Sequence, residues 1–158
     1  MGEEVNAYLT FSVGENTFGV HVEKVIEIKE FEQPKSVPES MVYVKGVTEH
    51  RDMIIPVIDA AQKFNLGQVE VTPQSCIVVL EIKKADSLMS IGVLVDAVSD
   101  VFEADDTKIK EIETDYKPGY ISASYQNNDE LIMILDADKV FSEIDIIALD
   151  KVVETYKS

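Results

Sequence analysis

The sequence predicts a mainly β fold with two similar lobes, followed by one C-terminal helix. Three observations support this prediction: short apolar segments separated by turn residues, an internal repeat, and helical spacing that dominates only the last segment. Short strands with little helix between them favour small β-barrels over a parallel α/β sheet. With 158 residues and 46% hydrophobic content, the chain is long enough to bury a shared core.

The internal repeat has two parts. Residues 19–28 recur as residues 92–101, 73 positions later, with a glycine, four apolar positions and an acid in register. Residues 54–59 recur as residues 131–136, 77 positions later. Tandem units of this kind predict a two-lobed body with a groove at its pseudo-symmetric seam, and grooves are where binding proteins hold their partners.

Alternation of apolar and polar residues places the strands. Residues 14–17 supply the turn of the first hairpin, and polar loops are predicted over residues 48–52 and 83–90. The approximate lobes are residues 6–70 and 74–142, with exchange of strands between them left open. The predicted strands are residues 8–13, 18–22, 42–47, 53–58, 76–82, 91–95, 108–112 and 131–135.

Capping residues place the helices. Asp59 precedes Gln62 by three positions, the spacing of a capping box, and predicts a short helix. Ser142 can cap a C-terminal helix over residues 143–157, with Asp145 in its first turn. Helical spacing relates Ile146, Leu149, Val153 and Tyr156. This stripe predicts a helix that packs on the body, and a helix that docks a partner is the alternative.

The charge balance excludes several classes of partner. The net charge is −16, with 30 acidic and 14 basic residues, whereas phosphate binding needs a basic surplus. Residues 1–4 lack the apolar stretch of a signal peptide, and no run approaches the roughly 18 to 20 apolar residues of a membrane span. Cys76 is the only cysteine, so no intramolecular disulfide can form. We expect a cytoplasmic protein with no nucleic-acid partner and no direct membrane insertion.

The sequence contains no recognisable cofactor or metal motif. His21 and His50 lie 29 residues apart without a neighbouring cysteine, which is not the spacing of a zinc site. Asp136 and Asp138 resemble the start of a calcium loop, but Phe141 occupies the position where that loop requires glycine. We therefore predict no metal and no cofactor, and we assign the two aspartates to a helix cap and a turn.

An acidic cluster formed by Glu103, Asp105 and Asp106 is the one candidate for acid–base catalysis. It follows a strand directly and has the composition of an exposed turn, which favours a solvated cluster. The sequence thus predicts no catalytic residue. A small hydrolase that uses these acids is the alternative.

Arg51 is the only arginine and lies on the predicted loop between two apolar strands. Its planar guanidinium can make two parallel hydrogen bonds, a property of residues that anchor interfaces. A solvated surface cation is the alternative.

The sequence resembles the CheW family, the coupling proteins of bacterial chemotaxis, from about residue 8 to residue 149. The order, spacing and duplication of several stretches carry the resemblance. Those stretches are the opening strand with its turn and residues 24–28, 43–47, 55–59, 92–101 and 131–136.

The resemblance implies two SH3-like five-stranded β-barrel lobes around a shared core, without catalytic activity. It also implies an adaptor that joins the cytoplasmic tips of methyl-accepting chemoreceptors to the regulatory domain of the histidine kinase CheA. An adaptor in a non-chemotactic chemosensory kinase pathway is the alternative.

The resemblance further implies a set of receptor-contact residues. Val25 and Val98 occupy equivalent places in the two repeats, so both are expected to line the seam between the lobes, with ordinary core as the alternative. The family usually carries Asn-Leu-Arg-Gly where residues 49–52 of this chain read Glu-His-Arg-Asp. Asp52 therefore replaces a glycine where a positive φ is expected, and the added acids could pair with Arg51. The implied contact residues are Val25, Glu27, Gly46, Arg51, Val98 and Val101.

Overall fold

The computed structural model describes residues 6–38, 40–111 and 119–157. In these ranges the chain forms eleven strands and three α-helices. The strands are β1 (Ala7–Val13), β2 (Asn16–His21), β3 (Val25–Glu30), β4 (Val44–His50), β5 (Met53–Asp59), β6 (Cys76–Lys84), β7 (Ser87–Val95), β8 (Ala97–Glu103), β9 (Ile109–Glu111), β10 (Ile121–Asn127) and β11 (Glu130–Leu135). The helices are α1 (Ala60–Lys63), α2 (Ala137–Val140) and α3 (Glu143–Lys157). Residues 1–4 and Ile112, for which the sequence made predictions, lie outside the described residues.

The strands form two sheets. One has six strands in the order β8-β1-β2-β11-β10-β9, and the other has five in the order β3-β6-β7-β5-β4. Apolar residues from both sheets contribute to one large core, among them Phe11 and Val20 from the first and Val57 and Ile77 from the second. The predicted mainly β fold with a shared core and a C-terminal helix is confirmed.

The internal repeat determines how the sheets are assembled. In the six-stranded sheet β2 runs parallel to β11, with Gly19 opposite Ile134. In the five-stranded sheet β7 runs parallel to β5, with Gly92 opposite Val57. These two pairs occupy the same positions of the repeat, so each sheet joins the first part of one repeat to the second part of the other. Each sheet therefore contains strands from both halves of the chain. The division into lobes at residues 6–70 and 74–142 describes the two repeats in the sequence and stays a prediction.

Irregularities in the strands are repeated as well. The β3–β6 pairing skips Ile26, and the β1–β8 pairing skips Ser99, 73 positions later. The β4–β5 pairing skips Lys45, and the β10–β11 pairing skips Ser122, 77 positions later. Extra residues of this kind bend a strand and increase its twist. Both sheets consequently curve in the same way.

The sixth strand of the larger sheet has a reduced counterpart in the smaller one. Strand β9 pairs with β10 through three residues, including Lys110 opposite Ser124. At the matching place in the smaller sheet, Lys35 forms an isolated bridge to Val47. The two sheets therefore differ in strand number because only one of them extends this bridge into a strand.

Side chains complete the curve of each sheet. In the smaller sheet, Nδ1 of His50 on β4 lies 2.9 Å from Oε2 of Glu27 on β3, although these strands are at opposite ends of the strand order. In the larger sheet, the rings of Phe102 on β8 and Tyr125 on β10 pack with centroids 4.9 Å apart. Within the described ranges the barrel-like shape is thus closed by side chains rather than by backbone pairing.

The hairpin between β4 and β5 is longer than predicted. Strand β4 continues to His50, which pairs with Met53 across the two-residue turn of Arg51 and Asp52. The predicted loop over residues 48–52 is therefore wrong for its first three residues. Arg51 and Asp52 have φ values of 50° and 64°, the geometry of a tight hairpin turn that sequences usually signal with glycine.

The hairpin between β6 and β7 is also longer than predicted. The two strands pair from Cys76 opposite Val95 to Lys84 opposite Ser87, so the predicted loop over residues 83–90 is wrong except at its tip. Ala85 adopts a positive φ of 50° at that tip. The sequence predictions also omitted strands β3, β8 and β10. Strand β10 was missed because its sequence contains several polar and small residues.

The predicted helix caps are confirmed. The Asp59 carboxylate accepts a hydrogen bond from the backbone N of Gln62 at 3.1 Å, and Asp136 caps α2 by accepting one from the backbone N of Asp138 at 3.1 Å. Ser142 Oγ accepts from the backbone N of Asp145 at 3.1 Å, while the Asp145 carboxylate accepts from the backbone N of Ser142 at 2.9 Å. This reciprocal pair fixes the start of α3.

Helix α3 packs its apolar stripe on the body, with Leu149 and Val153 buried. Its first turn is held by Asp145, which accepts a hydrogen bond from the Tyr43 hydroxyl at 2.6 Å and lies 3.7 Å from Nζ of Lys63. Burial alone would raise the pKa of the Asp145 carboxyl, but the hydrogen bonds from Tyr43 and Ser142 and the charge of Lys63 outweigh it and lower that pKa. The helix that packs on the body is therefore the interpretation the structure supports.

Replacing Asp145 with asparagine is expected to reduce the free energy of unfolding at pH 7 by roughly 1 to 3 kcal/mol, because several hydrogen bonds to a charged group are lost. A carboxyl whose pKa is lowered by folding contributes stability above its unfolded pKa of about 3.9 and loses it as pH falls through the folded pKa. The difference between wild type and variant should shrink below pH 4. Urea unfolding at several pH values measures it, and a constant difference would contradict this role.

Candidate interaction surface

The implied receptor-contact residues are divided between the two sheets. The pair of equivalent edge strands, β3 and β8, carries most of them, and the β4–β5 hairpin carries the others. By element, they are Val25 and Glu27 on β3, Gly46 on β4, Arg51 in the β4–β5 turn, and Val98 and Val101 on β8.

The curvature of the smaller sheet brings Glu27 next to the β4–β5 hairpin. The Glu27 carboxylate contacts His50, which directly precedes Arg51 in the chain. Nearby, Nζ of Lys29 donates a hydrogen bond to the backbone carbonyl of Glu49 at 2.9 Å. We call the exposed surface formed by Glu27, Arg51 and Asp52 the hairpin face. It joins two of the implied contact residues that lie 24 positions apart in the sequence.

Arg51 is exposed on the hairpin face. Neither Glu49 nor Asp52 pairs with it, and across the described ranges no carboxylate forms an ion pair with its guanidinium. The guanidinium is therefore available for a partner, and the internal pairing that the added acids could have produced does not occur. Its backbone φ of 50° is set by the tight turn.

Gly46 shapes the smaller sheet from the inside. It is buried, its φ is +142°, and a Cβ added there would lie 2.1 Å from the backbone carbonyl O of Lys35. Lys35 and Val47 exchange two backbone hydrogen bonds of 2.8 Å beside it. Only glycine fits on β4 this close to the Lys35 backbone. Gly46 therefore determines the local shape of the strand and presents no side chain to a partner.

Val25 and Val98 lie just after the two points where the chain crosses between the sheets. The first crossing is the 3₁₀ turn Val22–Lys24, and the second is Asp96. Both valines are half-buried and pack against the shared core. Each side chain therefore contacts the core on one side and is partly accessible on the other. That the two valines line a groove for a partner stays a prediction.

Val101 differs from Val98 in its exposure. Its side chain is 52% exposed, and its counterpart in the other repeat, Ile28, is 43% exposed. Both residues lie on edge strands, where an apolar side chain gains free energy if a partner covers it. The sequence repeat thus produces two matching apolar positions on the two sheets.

Two members of the acidic cluster, Asp105 and Asp106, make structural contacts. Asp105 caps a 3₁₀ turn by accepting hydrogen bonds from the Thr107 backbone N at 3.0 Å and the Thr107 hydroxyl at 2.7 Å, and these bonds lower the pKa of its carboxyl. The Asp106 carboxylate accepts from the Asn6 side chain. A carboxyl with a lowered pKa is poorly suited to act as a general acid near neutral pH.

His21 also has a structural role. Its Nδ1 accepts a hydrogen bond from the backbone N of Glu23 at 3.1 Å and thereby caps a 3₁₀ turn. Within residues 6–38, 40–111 and 119–157, no group of three or more His, Cys, Asp and Glu side chains is placed to hold a metal ion. Searching the same ranges finds no helix both long enough and apolar enough to cross a membrane.

From the sequence we weighed His50 only as a possible metal ligand and placed it in a predicted loop. The structure instead places its side chain inside the sheet, 5% exposed and against Glu27. The burial of residues 44–50 does not alternate regularly, because Gly46 and Val47 are both buried, so no local pattern indicates that His50 faces inward.

The fold defines a class of protein: a mainly β domain with an internal repeat, in which each of the two sheets contains strands from both repeats. Residues 7–145 match the CheW-like domain, and the chain belongs to that family.

Relatives named chemotaxis protein CheW are similar to this chain over most of their length. The chain is 26% identical to the chemotaxis protein CheW of Klebsiella aerogenes over 98% of this chain and 93% of the relative. It is 29% identical to the chemotaxis protein CheW of Thermotoga maritima over 87% of this chain and 89% of the relative. The crystal structure of the scaffolding protein TtCheW from Thermoanaerobacter tengcongensis has the same fold, with a TM-score of 0.78, 24% identity, and coverage of 89% of this chain and 90% of that protein.

Proposed function

We propose that this protein is a cytoplasmic chemotaxis adaptor that couples chemoreceptors to the regulatory domain of the histidine kinase CheA. The observation that carries the proposal is the family match over residues 7–145, which includes every described strand and the first residues of α3. The similar chains from Klebsiella and Thermotoga are both named chemotaxis protein CheW. The proposal assigns no catalytic step to this chain, in keeping with the structural roles of Asp105 and Asp106.

The receptor contact is proposed to use the hairpin face together with the exposed edge of β8. Glu27 and Arg51 supply opposite charges on the first, and Val101 supplies an apolar contact on the second. Small interfaces of this kind are typical of transient signalling, so an affinity on the order of micromolar is expected, about −8 kcal/mol. A second, separate surface then remains for the kinase, so that one chain holds two partners at once.

Replacing Arg51 with alanine is expected to weaken binding of a receptor cytoplasmic fragment by roughly 1 to 2 kcal/mol, the range of a moderate interface anchor. Because the guanidinium has no ion-pair partner among the described residues, the loss should come from the partner contact rather than from folding. Isothermal titration calorimetry against one receptor fragment measures the effect.

Asp52→Gly is the matched control in the same turn. Glycine accepts the φ of 64° without strain, so this variant should be as stable as wild type or more stable, by up to about 1 kcal/mol, and should keep its receptor affinity. An unchanged affinity for Arg51→Ala would remove Arg51 from the proposed contact. A loss of equal size in both variants would point to the turn conformation instead.

A further inference from the structure

The two ring nitrogens of the buried His50 have different surroundings. Its side chain is 5% exposed, and Nδ1 lies 2.9 Å from Oε2 of Glu27. The other ring nitrogen, Nε2, is buried without a hydrogen-bond partner among the described residues.

The two charge states of His50 differ mainly in how they interact with Glu27. A neutral ring can donate one hydrogen bond from Nδ1 to the carboxylate, whereas a protonated ring adds a full positive charge to that bond. Nε2 is unsatisfied in both states, as a lone pair in the first and as an N–H in the second. Histidine is the side chain that ordinarily changes charge between pH 5 and 8.

Charged groups reach the region of His50 from three elements. Strand β3 contributes Glu27 and Lys29, and the Lys29 ammonium is already bonded to the backbone carbonyl of Glu49. Its own hairpin contributes Glu49, Arg51 and Asp52. Helix α3 packs against β4 and β5, and its Glu154 and Lys157 line a pocket with Met53, the uncharged residue opposite His50 on β5.

Glu27 connects His50 to the surface. The Glu27 side chain is 42% exposed, so its carboxylate is accessible to a donor from outside while one oxygen faces His50. A basic side chain of a partner would compete with a protonated His50 for the same negative charge. A neutral His50 leaves that charge intact and holds the carboxylate in place.

We propose that His50 determines the proton dependence of the receptor contact by holding Glu27 and, when protonated, neutralising it. The inference rests on the proposed function, and it specifies that the receptor presents a basic group to Glu27. Receptor binding then releases a proton from His50, so the affinity falls as the pH falls. One released proton sets an upper limit of about tenfold in Kd per pH unit.

The test is calorimetry with one receptor fragment at pH 5.5, 6.5 and 8 for wild type, His50→Gln and Glu27→Gln. Glutamine at position 50 can still donate a hydrogen bond to Glu27 but cannot change its charge. We expect the wild-type Kd to rise by roughly threefold to tenfold more between pH 8 and 5.5 than the Kd of either variant, within the limit for one proton. Equal pH dependence in wild type and both variants would overturn the inference.

A second measurement needs no receptor. Thermal unfolding of wild type, both single variants and the double variant gives the coupling between positions 27 and 50. The coupling is expected to be larger at pH 5.5 than at pH 8, and an equal coupling would overturn the inference. Receptor binding that is absent in every variant at every pH would contradict the proposed function instead, and the unfolding cycle would still report on the contact.

Discussion

Gly46→Ala is expected to reduce the free energy of unfolding by roughly 3 to 4 kcal/mol, a large effect for a single methyl group. An added Cβ would lie 2.1 Å from the backbone carbonyl O of Lys35, and the φ of +142° is strained for any residue other than glycine. Neither problem can be relieved by a side-chain rotation, because the obstacle is backbone. The Lys35–Val47 bridge must break or β4 must move. Urea unfolding followed by circular dichroism measures the loss.

Gly14→Ala is the matched control for the clash. Gly14 also has a positive φ, +61°, but a Cβ there would meet nothing within 4 Å. Only the backbone preference is then lost, which costs about 1 kcal/mol. The difference between the two variants measures the clash together with the greater backbone strain at a φ of +142°. Equal losses would contradict the close approach between Gly46 and Lys35.

The Gly46 variant also bears on the interpretation of binding data. Gly46 is buried, so a variant that binds a receptor poorly would do so through a displaced β4–β5 hairpin. Its place among the implied contact residues is therefore best tested by stability and binding measured together. A folded Gly46→Ala protein with normal stability but no receptor binding would favour direct contact.

Val101→Glu is expected to weaken receptor binding at least tenfold, about 1.4 kcal/mol or more, with little effect on folding. The side chain is 52% exposed in the free protein, so glutamate is tolerated there. In a complex the same site would have to bury an unpaired carboxylate, which is costly. Calorimetry with a receptor fragment measures the affinity, and circular dichroism measures the fold.

Leu131→Glu provides the matched control. Leu131 lies on β11 of the same sheet and is 56% exposed, so the change in charge and exposure is nearly the same. Its receptor affinity should stay within about twofold of wild type, since surface substitutions outside a contact cost little. Equal weakening by both variants would mean that charge on the whole sheet, rather than contact at Val101, determines binding. Val98→Glu is less informative because Val98 also packs against the core.

The repeat made much of the fold predictable. Gly19 and Gly92 have the same place in the two repeats, and in the structure each pairs with an equivalent residue of a parallel strand. The predicted caps at Asp59 and Ser142 were local signals and are confirmed, because a cap depends on a few neighbouring residues. Which repeat contributes which strand to a sheet depends on pairings between residues far apart in the chain, such as Gly19 with Ile134 and Val57 with Gly92, and alternation along one strand cannot report that.

The candidate site was less predictable for the same reason. Arg51 was identified as an exposed residue from its uniqueness, but its tight turn lacked the glycine that usually marks such turns. The contact between Glu27 and His50 joins strands from opposite ends of the sheet order, so no local pattern could reveal it. The clash behind Gly46 depends on a connector 11 positions earlier in the chain, at Lys35.

We propose that one copy of this protein holds a receptor and a kinase at the same time. Analytical ultracentrifugation of this protein with a receptor cytoplasmic fragment and the regulatory domain of CheA, each at tens of micromolar, tests it most directly. We expect a complex of all three components for wild type. For Val101→Glu we expect the complex with the kinase domain and a clearly smaller share of bound receptor. Failure of the wild-type protein to bind either partner at these concentrations would contradict the proposed coupling.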